Sequence, residues 1–364
     1  MRIASRGAGV ALATMGLVVA AAVPTLGQSQ APGDWPASGT LKDGSTFTLK
    51  PGVAEKVAAG EPFNYLFSYQ SSSIPLFSAQ YQAGYDAGLE AAQAITPVNG
   101  QIVAPAAATG DVNEQIAQIQ AQIDAGQVDC LSIQPATSDG FTAITNSAMA
   151  AGIPVFTVGV TSNGNELTNF TQVPLKEGAQ AAQIVLDWEE ATGNDLKVFA
   201  VSGGDPTQFW AQGRMQGFVD GIKAGDPEAT FINDAATGLS TSYDPAATYS
   251  AYQALIQGNP ELQFIENVDI GAEHANKAIA DAGKDGQIFT IGWNVSLGQL
   301  DGIDAGTQVA ALDQRWAEQA GFGAQACADF LKNGIIRPNT QELLPVTKEN
   351  SAEAREDLNS ILNQ

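Results

Sequence analysis

The sequence is poor in the residues that most often carry catalysis and bind metals. Its 364 residues include one histidine, His274, and two cysteines, Cys130 and Cys327. A usual zinc site needs three or four histidine, cysteine or carboxylate ligands brought together, and these three residues cannot supply one. His274 lies in the helix-like run GAEHANKAIADAG, where a solvated side chain is the ordinary interpretation. We therefore expect no metal, no cofactor and no catalytic histidine.

Basic residues are also scarce, with 16 Lys+Arg against 39 Asp+Glu and a formal net charge of −23. Such a surface repels phosphate backbones, so nucleic-acid binding is disfavoured. The sequence has no GxSxG nucleophile elbow and no GxxxxGK[ST] phosphate loop. Carboxylates are abundant enough to leave a glycosidase-type pair open, and Asp244 with Asp313 is the pair we would nominate.

The N-terminus has the pattern of a secretion signal. Arg2 and Arg6 precede GVALATMGLVVAAAV, which is apolar and uncharged. Small residues at Ser29 and Ala31 predict cleavage after Ala31, and an earlier cut near Gly27 is the alternative. A membrane anchor is disfavoured because the apolar run is short for a span. We expect residues 1–31 to be removed and the protein to be exported to the periplasm.

The two cysteines allow two interpretations. An exported protein can join them in a disulfide. The interpretation that we favour is two buried thiols, because Cys130 lies in the apolar run VDCLSIQP and Cys327 in the alanine-rich run GAQACADFL.

Beyond a lead segment at 32–61, short apolar runs alternate with amphipathic stretches. The predicted strands are NYLFSY, GQIVAP, VDCLSI, IPVFTVGV, LKVFAVSG, QFIENV, QIFTIGW and QVAALD. In the helix predicted for NEQIAQIQAQIDAG, Ile116, Ile119 and Ile123 form one apolar stripe between a cap at Asp111 and a stop at Gly126. Apolar strands alternating with helices predict α/β architecture with parallel sheets covered on both faces. The pattern runs twice, over about 62–170 and again to about 312.

Ligands of such sheets bind beyond the carboxyl ends of the strands, and polar and aromatic side chains recur there. Amides and hydroxyls donate and accept at once, arginine is a fixed fork of donors, and aromatic faces suit the C–H faces of a sugar or polyol. The candidate ligand-binding residues are Gln70, Ser73, Phe77, Trp210, Arg214, Tyr243, Asn267, Trp293, Asn294 and Gln314.

Six segments in order resemble one known family. They are SSIPLFSAQYQAGYDAG, VDCLSIQPATSDGFTAITNSAMAAGIPVFTV, GRMQGF, NPELQFIENVDIGA, QIFTIGWN and VAALDQ. Over about residues 62–345 the chain resembles the ribose-binding type of periplasmic binding protein, the sugar receptor of ABC importers. The resemblance implies two doubly wound parallel-sheet lobes joined by a three-strand hinge. Lobe one would be 62–170 plus 314–343, and lobe two 171–313 plus 344–364.

The resemblance also implies residue roles. Arg214 stands at the arginine of R-x-x-G-F, and the other positions carried over are Phe77, Tyr243, Asn267 and Gln314. Three positions depart from the family. Gly159-Val160 stands where Asp-Arg is frequent, Asn294 where a carboxylate is frequent, and Ile74 where asparagine is frequent. Losing such anchors implies a changed ligand, such as a smaller or linear polyol, a deoxy sugar or another polar metabolite.

The expected function is therefore capture of a small sugar or polyol and its delivery to an ABC-transporter permease by a monomeric exported protein. The alternatives are a sensory receptor for the same ligand and, less favoured, an exported sugar hydrolase. Lactose-repressor-type regulators share the core that the resemblance implies. They carry an N-terminal DNA-binding helix-turn-helix, whereas this chain has a secretion signal there.

Overall fold

The structure is a computed structural model and describes residues 41–107, 111–339 and 341–362. The predicted signal at 1–31 lies outside the described residues, as does the lead segment up to residue 40. The described chain forms two mainly parallel sheets flanked by helices, which confirms the predicted α/β class. No helix among these residues combines the length and the apolar character needed to cross a membrane.

The first sheet has five strands, all parallel, in the order β2-β1-β3-β4-β5. Its strands are β1 (Phe63–Ser68), β2 (Val98–Val103), β3 (Cys130–Ile133), β4 (Val155–Val158) and β5 (Thr168–Phe170). Its helices are α1 (Val53–Ala58), α2 (Pro75–Gln93), α3 (Val112–Asp124), α4 (Ser138–Ala150) and α10 (Trp316–Asn333). We call this sheet with these helices lobe one.

The second sheet has the order β12-β11-β10-β9-β6-β7, with β8 paired to β6. Its strands are β6 (Val198–Gly203), β7 (Thr230–Phe231), β8 (Leu239–Ser240), β9 (Phe264–Asn267), β10 (Phe289–Trp293), β11 (Gln308–Asp313) and β12 (Leu344–Val346). Its helices are α5 (Pro174–Thr192), α6 (Phe209–Gly225), α7 (Pro245–Gly258), α8 (Ala272–Asp281), α9 (Leu297–Ala305) and α11 (Ser351–Leu362). We call this unit lobe two; its edge strand β12 is antiparallel to β11.

Local sequence signals explain where these elements begin and end. The carboxylate of Asp111 accepts the backbone N–H of Glu114 at 3.0 Å, as the predicted cap requires. Gly126 follows the end of α3 with a φ of 70°, a conformation that costs glycine little. Ile119 is fully buried and its two stripe neighbours pack against the same core.

The lead segment is part of lobe one where the structure describes it. Phe47 is 1% exposed, and its ring packs edge-on against Phe330 with centroids 6.0 Å apart. The backbone N–H of Lys50 donates to the carbonyl of Gly152 at 2.8 Å. The Nζ of Lys56 pairs with the carboxylate of Asp129, just before β3, at 2.8 Å. Residues 41–61 therefore pack against α10 and against the amino ends of β3 and β4, opposite to the carboxyl ends of these strands.

A disulfide joins Cys130 of β3 to Cys327 of α10, with Cα atoms 6.0 Å apart. The prediction of two free buried thiols is wrong, although both residues are fully buried as expected. The physical reason is that α10 lies directly against the first sheet, so the helix and the strand bring two residues 197 positions apart into contact. Hydrophobic context alone predicted the burial and could not predict the pairing.

Three segments pass between the lobes, at 171–173, at 314–315, and at 334–339 with 341–343. They are hydrogen-bonded to one another: the amide of Gln172 donates to the carbonyl of Gln314 at 3.2 Å, and that of Asn339 to the carbonyl of Thr171 at 2.7 Å. We call them the crossing segments. The division of the chain at the predicted domain boundaries remains a proposal.

Candidate functional site

A cavity of about 340 Å³ lies between the two lobes, at the carboxyl ends of the strands of both sheets. Residues that follow β1, β3 and β4 form one wall, and residues that follow β6, β9 and β10 form the other. The crossing segments close one end with Gln172 and Gln314. The position agrees with the expectation that polar side chains after the strands converge.

The lobe-one wall is aromatic, with amides beside it. The rings of Phe77 and Trp316 meet at 82° with centroids 3.8 Å apart, and Tyr81 stacks on Trp316 at 6.2 Å. The side-chain oxygen of Gln134 accepts the backbone N–H of Gln70 at 3.0 Å, which fixes the turn after β1. This wall offers flat apolar faces and leaves amide groups at the edge of the cavity.

Arg214 is the centre of the lobe-two wall. It lies on α6, is 4% exposed, and its Nε–H donates to the carboxylate of Glu177 on α5. One Nη1–H donates to the carbonyl of Val268 at 2.9 Å, and Nη2–H donates to the side-chain oxygen of Gln314. Its guanidinium also lies 5.0 Å from the ring centroid of Trp210. The arginine is thus held in one orientation from several sides.

Close packing of α5 on α6 creates this arrangement. A Cβ added to Gly178 would lie 1.9 Å from the backbone carbonyl oxygen of Arg214, and one added to Gly217 would lie 2.1 Å from that of Leu175. Only glycine leaves room for the two helix backbones at this distance. The close approach carries Glu177 to the guanidinium of Arg214.

Gln314 links the arginine to the loop after β10. Its side-chain nitrogen donates to the side-chain oxygen of Asn294, while its side-chain oxygen accepts from Arg214. Asn294 is 3% exposed and has a φ of 63°, which asparagine tolerates better than most residues. The crossing segment at 314–315 is therefore tied by side chains to two elements of lobe two.

Two further carboxyl groups and a phenol complete the lobe-two wall. Asp269 is 4% exposed, and its Oδ2 accepts the backbone N–H of Gly204 at 2.6 Å. Burial raises the pKa of Asp269 to about 6, against the lowering effects of that hydrogen bond and of Arg214. Burial also raises the pKa of Tyr243, and the nearby charges of Asp269 and Asp205 raise it further. The phenol is therefore a neutral hydroxyl at any physiological pH.

Most of the predicted ligand-binding residues come together in this cavity. Those that line it are Gln70, Phe77, Trp210, Arg214, Tyr243, Asn294 and Gln314. Gly159 and Val160, which replace two charged residues frequent in the resembling family, line it as well. Contact of these residues with a ligand remains a prediction.

Three predicted site residues do not line the cavity. Ser73 is exposed on the turn before α2, where its hydroxyl lies 3.1 Å from that of Ser71. Asn267 is fully buried, and its amide donates to the hydroxyl of Tyr252 at 2.8 Å. Trp293 is fully buried in the core of lobe two, behind Arg214. In strands, alternate residues face opposite sides, and these last two face the covering helices.

The pair nominated for hydrolysis is also outside the cavity. Asp244 caps α7, accepting the backbone N–H of Ala247 at 2.8 Å. Asp313 accepts the backbone N–H of Arg315 at 2.7 Å. Both carboxylates are engaged in holding turns, so they do not form the converging pair that glycoside hydrolysis requires. His274 is half-buried on α8 beside Glu273. Within the described ranges, no group of three or more His, Cys, Asp or Glu side chains is arranged to hold a metal ion.

Several cavity residues were missed by the sequence reasoning. Glu177 lies within the first turns of α5 and carries no strand-end signal, so only the helix packing shows its role. Asp269 lies two residues after the end of β9. The sequence predicted a site residue at the end of this strand, but the residue chosen was Asn267. Trp316 was not among the predicted site residues; it begins α10 and its ring packs against that of Phe77.

Comparison of this sequence with known protein families shows that the chain belongs to one of them. Residues 67–335 match the family model described as periplasmic binding protein domain. The ribose import binding protein of Bacillus subtilis is 28% identical over 230 residues, covering 62% of this chain and 70% of that protein.

Solved structures share the fold. The periplasmic ribose ABC transporter structure from Conexibacter woesei has a TM-score of 0.68 at 19% identity, covering 81% of this chain and 95% of that one. A putative LacI transcriptional regulator from Bacteroides fragilis has a TM-score of 0.65 at 15% identity, covering 80% and 99%. At these identities the structures establish the fold alone, which transport proteins and regulators have in common.

Proposed function

Because this chain belongs to the periplasmic binding protein family, we propose that it is exported and captures one small sugar or polyol between its lobes. It then delivers that ligand, as a monomer, to the permease of an ABC importer. The matching family and the similar ribose import protein are binding proteins, and the chain is not an enzyme. The secretion-like N-terminus and the acidic charge support export over a role on DNA.

The observation that carries the proposal is the cavity that both lobes line. Gln70 and Phe77 come from lobe one, Arg214 and Asn294 from lobe two, and Gln314 from a crossing segment. A ligand shifts a two-lobed protein toward its closed form only through contacts that the closed form adds. A cavity with polar groups on both walls meets that requirement.

The lining favours a small polyhydroxylated ligand. Aromatic faces on both walls suit C–H faces, and the amides and the guanidinium suit hydroxyl groups. Gly159 and Val160 leave lobe one without a charged anchor at their position. This supports a ligand whose firm polar contacts are made to lobe two and to Gln314.

A thermal-shift screen of residues 32–364 tests the binding step. The panel contains pentoses, hexoses, deoxy sugars, linear polyols and amino acids. A ligand at a hundred times its Kd stabilises the folded state by about 2.7 kcal/mol. We expect a hit among the sugars or polyols, lost in Phe77→Ala and retained in Ser73→Ala, which changes an exposed neighbour outside the cavity. Equal binding by both variants would remove the cavity as the site.

Uptake of the labelled hit by cells tests delivery. We expect deletion of the gene to abolish uptake at low ligand concentration and a plasmid copy to restore it. Normal uptake in the deletion strain, together with loss of movement toward the ligand, would favour a sensory receptor instead.

A further inference from the structure

The cavity has more negative charge than its basic residue can balance. Its charged lining residues are Glu177, Asp205 and Asp269 against Arg214. Arg214 forms an ion pair with Glu177, and that pair is neutral. In the part of the chain that the structure describes, no ion pair includes Asp205 or Asp269. Two carboxyl groups thus face the ligand space without a paired cation.

One carboxylate oxygen of Asp269 is buried and forms no hydrogen bond of normal geometry with the described residues. The other oxygen, Oδ2, accepts the backbone N–H of Gly204. The backbone N–H groups of Ile270 and Gly271 are near enough to lower the pKa of the carboxyl, but among the described residues none forms a hydrogen bond of normal geometry with Oδ1. The residue is 4% exposed and lines the cavity. A buried carboxylate oxygen without a donor is costly to desolvate. A donor on the ligand, best of all a charged one, removes that cost.

Asp205 adds to the same region of negative potential. Its Oδ2 accepts from the amide of Gln208 at 2.8 Å, and its Oδ1 accepts from Thr207. These partners are neutral, so the carboxylate keeps its charge. Tyr243 lies within the electrostatic reach of both Asp205 and Asp269, which places the two acids around one part of the cavity.

The adjoining cleft has the same sign of charge. A second cavity of about 300 Å³ shares Val160, Phe209 and Trp210 with the first and adds Asp139. The described residues that line it include no lysine, arginine or histidine. An anionic ligand would therefore meet repulsion along the whole cleft.

The aromatic lining of the cavity also suits a cation. Phe77, Tyr81 and Trp316 line lobe one, and Trp210 and Tyr243 line lobe two. Aromatic faces attract cations within about 6 Å of the ring centroid, more strongly when the cation is desolvated. Trp210 already has the guanidinium of Arg214 over it at 5.0 Å, so the free faces are mainly those of lobe one.

We propose that the ligand of this cavity carries an ammonium group beside its hydroxyl groups, as in an amino sugar or an aminopolyol, with Asp269 as its anionic partner. The inference rests on the proposed function, because it refines the ligand of the same site. Neutral hydroxyls bind Gln314, Asn294 and Arg214, and the ammonium group is held by Asp269 among the aromatic rings. Sugar acids and sugar phosphates are rejected.

The test compares ligands that share a skeleton and differ in charge. One set is glucamine, sorbitol and gluconate, and the other is glucosamine, glucose and glucuronate, each titrated into residues 32–364 by calorimetry at pH 7.5. We expect the amine of at least one set to bind ten-fold or more tightly than its neutral counterpart, and the acids not to bind.

Asp269→Asn tests the assignment of the anionic partner. The amide oxygen still accepts the N–H of Gly204, so the variant keeps that contact, and its thermal unfolding without ligand reports its folding. We expect the ratio of the amine's affinity to that of its neutral counterpart to fall toward one. The matched control is Asp244→Asn, an acid outside the cavity, which should leave the preference unchanged.

The outcomes separate the two proposals. If neutral members bind as well as or better than the amines, the ammonium proposal is overturned and the receptor proposal stands. An amine preference that survives in Asp269→Asn also overturns the assignment. If neither set nor any other polyhydroxylated compound binds, the sugar-or-polyol receptor proposal fails, and this inference fails with it.

Discussion

Replacing Arg214 with alanine should destabilise the protein as well as remove ligand binding. In the structure the side chains of Arg214 and Glu177 are 5% and 4% exposed. Arg214→Ala would leave the carboxylate of Glu177 buried without its cation. It would also remove the 2.9 Å donor to the carbonyl of Val268 and the donor to the side chain of Gln314.

The magnitude follows from these contacts. Breaking one side of a buried ion pair costs about 3–5 kcal/mol. Each lost hydrogen bond to a neutral acceptor adds roughly 1 kcal/mol. The expected loss is about 5–7 kcal/mol, a large part of the roughly 5–15 kcal/mol by which domains are stable. Replacing both partners with apolar residues removes the unpaired charge, so Arg214→Met with Glu177→Leu should return within about 2 kcal/mol of the parent.

Urea unfolding measured by circular dichroism gives the free energies, and calorimetry with the ligand gives the affinities. We expect the single variant to be unstable and unable to bind, and the double variant to be stable and unable to bind. Arg355→Ala is the control, because Arg355 pairs with Asp301 and Asp304 at the surface. It should cost no more than about 1 kcal/mol and leave binding unchanged.

Two results would refute the reasoning. If Arg214→Ala unfolds at the parental urea concentration, the pair with Glu177 does not support lobe two. If the double variant loses as much stability as the single one, the unpaired carboxylate is not the cause. If the double variant binds the ligand with the affinity of the parent, Arg214 is not a ligand-binding residue.

Three further changes probe other parts of the structure. Reducing the Cys130–Cys327 bond, which closes a separation of 197 residues, should cost about 5 kcal/mol on the chain-entropy account; an unchanged urea midpoint in dithiothreitol would contradict this. Gly178→Ala sets a Cβ 1.9 Å from a carbonyl oxygen of α6 and should cost about 1–3 kcal/mol, whereas Gly258→Ala meets no atom within 4 Å and should cost nothing measurable by urea unfolding. Burial raises the pKa of Asp269 from 3.8 to about 6, so the folded state binds the extra proton and stability falls as pH rises from about 4 to 6. Asp269→Asn should abolish that fall, so its free energy of unfolding should equal that of the parent below pH 4 and exceed it by about 3 kcal/mol above pH 6. A difference in the free energy of unfolding that is the same at all pH values would exclude this carboxyl as the source.

Much of the fold could be predicted from the sequence because its long strands carry their own signal. Each of the eight predicted apolar runs overlaps a strand of the structure; these strands are β1 to β4, β6 and β9 to β11. The strands that were missed are β5, β7, β8 and β12, which have two or three residues each. Such strands are held by pairing with a neighbour, as β12 is by β11. Their own residues have no run long enough to show a period.

The site was predicted less completely, and the reason is geometric. The sequence indicates where a strand ends but not which face of the sheet each terminal residue joins. Asn267 and Trp293 are the last residues of β9 and β10 and point into the packed layers. Asp269 and Asn294 lie one or two positions further on and line the cavity. A difference of one or two residues decides between core and cavity, and only the three-dimensional register resolves it.

Arg214 has two roles, and each explains why it is an arginine. Three of its five N–H groups donate to Glu177, Val268 and Gln314. The other two take no part in these bonds, and we propose that they bind the ligand, in a plane that the first three bonds fix. A lysine could not make these three hydrogen bonds and also offer two further donors, because an ammonium group has three donors in all and no fixed plane. Since Gln314 belongs to a crossing segment, a ligand bound to the arginine fork also touches the connection between the lobes. We propose that the residues that orient the arginine thereby couple ligand binding to lobe position.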